Sequence, residues 1–152
     1  MVRLSENFSL QEFTKSQTAL RQGIDNTPGN EHLENAKELF ANVVQPVRDN
    51  FGPTVINSGS RGPALNEAVG GSSKSQHCKG EAIDLDATKG FTNKQIYNYI
   101  KNNVEYDQLI WEFGTDNEPD WVHVSYRADG KNRKQQLRAS RKGGRSVYEI
   151  IG

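Results

Sequence analysis

Apolar residues in this chain never run more than three in a row; Leu39-Phe40-Ala41 and Leu109-Ile110-Trp111 are the longest such runs. A membrane-crossing helix needs about 20 consecutive apolar residues and the core of a secretion signal about 7 to 15, so neither can be built here. The expectation is a chain made in the cytoplasm without secretory export. Only 34% of the side chains are hydrophobic, so the core has to be assembled by periodic placement along the 152 residues. That length is close to one domain of ~150 residues and buries a real core without cross-links. The lone Cys78 excludes an internal disulfide and a Cys-rich zinc site.

Ser9-Leu10-Gln11-Glu12 has capping-box spacing and predicts a short helix. Leu33, Ala36, Leu39, Phe40, Val43, Val44 and Val47 recur at three and four, the core stripe of a longer helix. Pro46 is expected to kink it, and Gly52 lies just past its end. Thr92 suits the N-cap of a third helix carrying Ile96, Tyr99, Ile100 and Val104 on one side. Strands are expected over 54–57, 82–86, 108–113 and 121–126, with long turns over 23–30 and 70–75. Helices followed by closely spaced strands, without regular alternation, predict an α+β fold in which a small antiparallel sheet packs against helices.

The chain has three histidines. His32, between Glu31 and Glu34, reads as a surface residue, because no second ligand stands at metal spacing. His77 lies in a turn-rich stretch seven positions before Asp84, a carboxylate inside an apolar strand. Alternation turns Ile83 and Leu85 to one side of that strand and Ala82, Asp84 and Asp86 to the other. Likewise Val122 and Val124 face the core, leaving Trp121, His123 and Ser125 on the opposite face. Taken singly, these are solvent-facing aspartates and a half-buried histidine. Taken together, two imidazoles and one carboxylate make a three-ligand zinc set with a fourth position open for water, as catalytic zinc requires. Cys78 adjoins His77 and would point elsewhere on an extended chain.

Zinc lowers the pKa of a water it holds to ~7, and such a water still needs a proton acceptor. Asp120, three residues before His123, and Glu112, at the end of the preceding strand, can each serve. Arg61 sits in the glycine-flanked turn Asn57-Ser58-Gly59-Ser60-Arg61-Gly62, from which a guanidinium can reach a developing oxyanion or a substrate carboxylate.

The pattern Ser75-x-His77-x-x-Gly80-x-Ala82-x-Asp84, followed by Asp120-x-x-His123, resembles the signature of zinc D-alanyl-D-alanine carboxypeptidases and L-alanoyl-D-glutamate endopeptidases. That group includes bacteriophage endolysins and the vancomycin-resistance D,D-dipeptidases, with the hedgehog signalling domain as a distant relative. Gly23-Ile24-Asp25-Asn26, Gln45-Pro46-Val47-Arg48 and Ser58-Gly59-Ser60-Arg61 are similar to its phage and prophage branch. The resemblance spans roughly residues 5 to 130 and implies a hedgehog/D,D-peptidase-like α+β fold. It implies one zinc ion per chain held by His77, Asp84 and His123, with Asp120 as general base and then acid. By the same resemblance Arg61 steadies the tetrahedral intermediate or grips the peptide carboxylate, and Ser75 lines the site for ligand or substrate. The choice of Asp120 over Glu112, and of Asp84 over Asp86, comes from the resemblance alone. Two departures stand out: the family commonly has an aromatic residue where Ser60 stands and an aliphatic one where Cys78 stands.

The activity implied is amide hydrolysis in peptidoglycan stem peptides by a monomer, at the terminal D-Ala-D-Ala bond or between L-Ala and D-Glu. A cell-wall lysin of phage or prophage origin and a cytoplasmic recycling peptidase both fit. Competing readings are a zinc-containing binding module without catalysis and a phage structural protein acting through its basic end. Nineteen Lys and Arg balance nineteen Asp and Glu, which excludes a chain that is polycationic throughout. Residues 127–145, however, carry eight basic side chains against Asp129 alone, a net +7. The catalytic domain is thus expected over 1–130, and 131–152 as a basic segment, part of the same domain or a tail. Only Tyr126 and Tyr148 flank the charges of Arg127–Arg145, too few aromatics for a nucleic-acid stacking platform. A non-specific contact with anionic wall polymers is the expected use of this segment.

Overall fold

The computed structural model describes residues 3–6, 8–9, 30–58 and 81–151. Near the start of the chain, β1 (Arg3–Ser5) and β2 (Phe8–Ser9) pair antiparallel. Ser9 therefore closes a strand, and the short helix expected after it falls outside the described residues, as do the turn residues 23–29 and 70–75.

The Leu33-to-Val47 stripe forms α1 (Asn30–Leu39), a π-helical turn (Phe40–Val44) and α2 (Gln45–Phe51) in unbroken succession. Pro46 explains the π turn. Proline has no N–H to give to the carbonyl four residues back, and its ring crowds that carbonyl. The wider turn makes room, with the Gln45 N–H reaching Phe40 O five residues back. Ala36, Leu39, Phe40, Val43, Val44 and Val47 are all fully buried, and α2 ends where the Gly52 N–H meets Arg48 O at 2.8 Å. A further helix, α3 (Asn93–Asn103), opens with the capping box expected at Thr92. Gln95 N donates to Thr92 Oγ1 at 3.2 Å, and Thr92 N donates to Gln95 Oε1 at 2.9 Å.

Among the described residues six strands make one sheet: β3 (Val55–Ser58), β4 (Ala82–Asp86), β5 (Gln108–Glu112), β6 (Trp121–Ser125), β7 (Gln135–Lys142) and β8 (Arg145–Ile150), in the order β3-β4-β6-β5-β7-β8. Every neighbouring pair is antiparallel except β5 and β7, which run parallel. The α+β expectation of a mostly antiparallel sheet backed by helices holds. The four strands read from alternation stand within a residue of their expected bounds.

Alternation gives the sheet two unlike faces. Ile83, Leu85, Leu109, Trp111, Val122 and Val124 join α1, the π turn, α2 and α3 in one large core. Each such side chain, once buried, contributes about 1.5–3 kcal/mol of burial free energy. The other face carries Asp84, His123 and Glu112 beside a smaller apolar cluster of Ile110, Leu137 and Ala139, with Phe113 packed against it.

Most of the basic segment is the β7–β8 hairpin, closed by Gly143 and Gly144 at φ +59° and +78°. Both central positions of so tight a turn need left-handed backbone, which glycine adopts without steric cost. Its cations are largely matched. Arg127 pairs with Asp129, Lys134 with Glu105, Arg138 with Asp116 and Lys142 with Glu149. Arg133 grips the buried Asp107 with Nε and Nη2 at 2.8 and 2.9 Å, and this clamp fixes the approach of β7 to β5.

Candidate functional site

Asp84 of β4 and His123 of β6 are direct partners in the antiparallel register. Directly opposed residues send their side chains to the same face. Here His123 Nδ1 stands 2.9 Å from Asp84 Oδ1, with both side chains mostly shielded, at 12% and 17% exposure. Asp86 projects from the same face two residues along β4, but Asn93 Nδ2 donates to its Oδ1 at 2.8 Å, away from the histidine. Register therefore gives a physical reason for preferring Asp84 that strand alternation alone lacked.

An imidazole nitrogen and a carboxylate oxygen so close together suit a shared divalent cation of the zinc type, which takes N and O donors in a tetrahedral set. His77, the third expected ligand, lies outside the described residues, together with Arg61, Ser75, Ser60 and Cys78. Among the described residues no group of three or more His, Cys, Asp and Glu side chains is placed to hold a metal ion. The structure thus brings together two of the three proposed ligands.

The two candidate proton acceptors sit differently. Asp120 is exposed, one residue before β6 begins. Its backbone is anchored at both ends: the N–H donates to Glu112 O at 2.9 Å, and the carbonyl accepts from Asn93 Nδ2 at 3.0 Å. Its carboxylate makes no hydrogen bond or ion pair with a described residue. Glu112 is buried, at 5% exposure, on the face that carries His123, opposite Trp121 in the β5–β6 register. Burial pushes its carboxyl up to about 7, with His123 pulling it down and Asp84 pushing it further up. A carboxyl so placed accepts or releases a proton near neutrality in the metal-free protein, which is what acid–base work asks of it.

Sequence reasoning misses Asn93, which ties the site together. At the first turn of α3 it is buried, its Oδ1 accepts from Ala87 N at 2.7 Å, and its Nδ2 bridges Asp86 and the Asp120 carbonyl. One side chain thereby joins the end of the Asp84 strand to the segment bearing Asp120. Nothing in a Thr-Asn-Lys helix start marks that role, because both partners are distant in sequence. Gly114 shapes the same segment at φ +69°, where Thr115 N returns to Glu118 O at 2.9 Å. The Cβ of any other residue there would collide with the Glu118 carbonyl and come within 2.9 Å of Asp120 N.

No curated protein matches the chain. A sequence model of the peptidase M15 family matches residues 6–125, which takes in every expected ligand and both candidate acceptors. With that match over most of its length and the α+β sheet above, the chain belongs to the peptidase M15 family of metallopeptidases.

Proposed function

We propose that this protein is a zinc-dependent hydrolase that cleaves an amide bond in peptidoglycan stem peptides, as a cell-wall lytic enzyme of the phage or prophage type. The observation that carries this reading is the Asp84–His123 pair, register-matched and 2.9 Å apart on the face of the sheet opposite the one packed against α1, α2 and α3, in a chain of the peptidase M15 family. His77, Asp84 and His123 would hold one zinc ion, which when bound supplies Lewis-acid activation of water and polarisation of the scissile carbonyl.

The chain's own groups do the rest. Asp120 removes a proton from the attacking water and later returns it to the departing nitrogen. The Asn93 side chain, donating to its carbonyl, and the Glu112 carbonyl, accepting from its N–H, fix where its segment lies. Glu112, buried beside the pair, is the second carboxyl from which a proton can be drawn. Arg61 steadies the oxyanion and Ser75 lines the site. Arg127–Arg145 offers a salt-sensitive contact to anionic wall polymer, limited by the ion pairs that already occupy most of its cations.

The test is a digest of purified stem peptides, with and without a chelator, weighed by mass spectrometry. Cleavage that stops on chelation and returns with zinc is the expected result, and the fragment masses identify the bond cut. Asp120→Ala should lower turnover about a hundredfold or more while zinc content stays at one per chain. A zinc-loaded protein that cleaves no stem peptide would overturn the enzyme reading in favour of a binding module.

A further inference from the structure

The site face does not stop at the metal pair. Trp121, two positions before His123 on β6, shares its face at a spacing of roughly 7 Å. The Trp121 ring meets the Phe113 ring edge-on at 5.4 Å between centroids, and the Arg141 guanidinium lies over the Phe113 ring, 4.4 Å from its centroid. β7 supplies Arg141, two residues beyond Ala139, which is the register partner of Glu112. Three strands thus converge on one aromatic–cationic patch beside the metal pair.

Two features set this patch apart from an ordinary surface. Phe113 is held at φ +54°, a backbone conformation that bulky L-residues rarely adopt, and its N–H is pinned to Ala139 O at 2.9 Å. Such strain persists only where surrounding contacts hold it, and it gathers at ligand sites. Arg141 also differs from its neighbours in charge pairing. Arg127, Arg133, Lys134, Arg138 and Lys142 each have an acidic partner, whereas Arg141, like the exposed Lys131, makes no ion pair with a described residue, and unlike Lys131 it lies over an aromatic ring. A guanidinium held over a ring can still take a carboxylate through two parallel hydrogen bonds, and no hydrogen bond to a described residue occupies the N–H groups of Arg141.

We propose that Arg141, Phe113 and Trp121 form a subsite that binds a carboxylate on the peptide substrate, with the peptide backbone lying across the aromatic pair. This rests on the peptidase reading for the identity of the ligand. The carboxylate it takes is one carried along the peptide, separate from the group expected at Arg61. The subsite is completed by β7, outside the region matched by the family model.

The experiment measures binding of two probes to the zinc-loaded full chain by tryptophan fluorescence on rapid mixing: L-Ala-γ-D-Glu-L-Lys-D-Ala with its D-Glu α-carboxyl free, and the same peptide with that carboxyl as a primary amide. The free acid should bind about fivefold tighter than the amide. Arg141→Ala should bring the two affinities together, Arg141→Glu should reverse the preference, and Phe113→Leu should weaken it by loosening the guanidinium. Equal affinities in the wild type, an undiminished preference in Arg141→Ala, or no binding of either peptide each overturn the subsite. Cleavage is followed separately. Binding with the expected preference but no cleavage would sink the hydrolase reading and leave the subsite standing.

Discussion

Glu112 offers the most direct check on the electrostatics of the site. In the metal-free protein its carboxyl is pushed by burial from its ordinary 4.5 up to about 7, while the unfolded chain exposes the same group to water. Below pH 4.5 both states hold the proton and the group is neutral in its effect. As pH rises through the window from 4.5 to 7, the unfolded state ionises while the folded state keeps its proton, so stability falls. Above 7 the loss is complete. At about 1.4 kcal/mol per pH unit, the interval from 4.5 to about 7 amounts to roughly 3 kcal/mol. Glutamine has nearly the same shape and does not ionise. Glu112→Gln should therefore stabilise the chelated protein by roughly 3 kcal/mol more at pH 8 than at pH 4, a difference of about 9 °C in Tm for a chain this size. Thermal unfolding of both proteins by circular dichroism at the two pH values supplies the comparison, and its double difference cancels any change in packing. A Tm gap that is the same at both pH values would refute the reasoning. Adding zinc at pH 8 should narrow the gap, because a cation beside the carboxyl favours its charged form.

Two further outcomes concern the segments that hold the site in place. Gly114→Ala forces a side chain against the Glu118 carbonyl and the Asp120 N–H at a φ of +69°; it should cost about 3 kcal/mol, read as a lower urea midpoint, and a midpoint equal to that of the wild type would show the turn to be slack. Asp107 is 1% exposed and receives Arg133 N, Nε and Nη2, so Asp107→Ala should cost about 2 kcal/mol and speed amide exchange across β7 and β8 selectively; uniform exchange would mean the clamp does not hold the hairpin.

Local patterns were legible along the chain wherever a single element sets its own rule. The Leu33-to-Val47 stripe, the Thr92 capping box and the alternating strands at 82–86 and 121–125 each depend on residues a few positions apart, and each appears where its spacing puts it. Pro46 was legible as a disturbance but not in its form, because a helix can meet a missing N–H by bending or by widening, and packing of Phe40, Val43 and Val44 decides which. The site was legible as a set of residue types: a histidine and an aspartate on the non-core sides of two strands.

What the one-dimensional order could not contain was pairing. That Asp84 rather than Asp86 meets His123 follows from a register set across strands 39 residues apart, since a shift of two would exchange them. Three cations of the basic stretch, Arg133, Lys134 and Arg138, have partners well before them in sequence, Asp107, Glu105 and Asp116, and only the parallel docking of β7 on β5 brings these within reach. Glu112 looks like an ordinary strand-end carboxylate until β6 and β7 close over it from both sides and strip its water away. Composition and spacing determined which side chains this protein has for chemistry; folding decided which of them lose solvent and touch, and the loss of solvent is what gives those charges their strength.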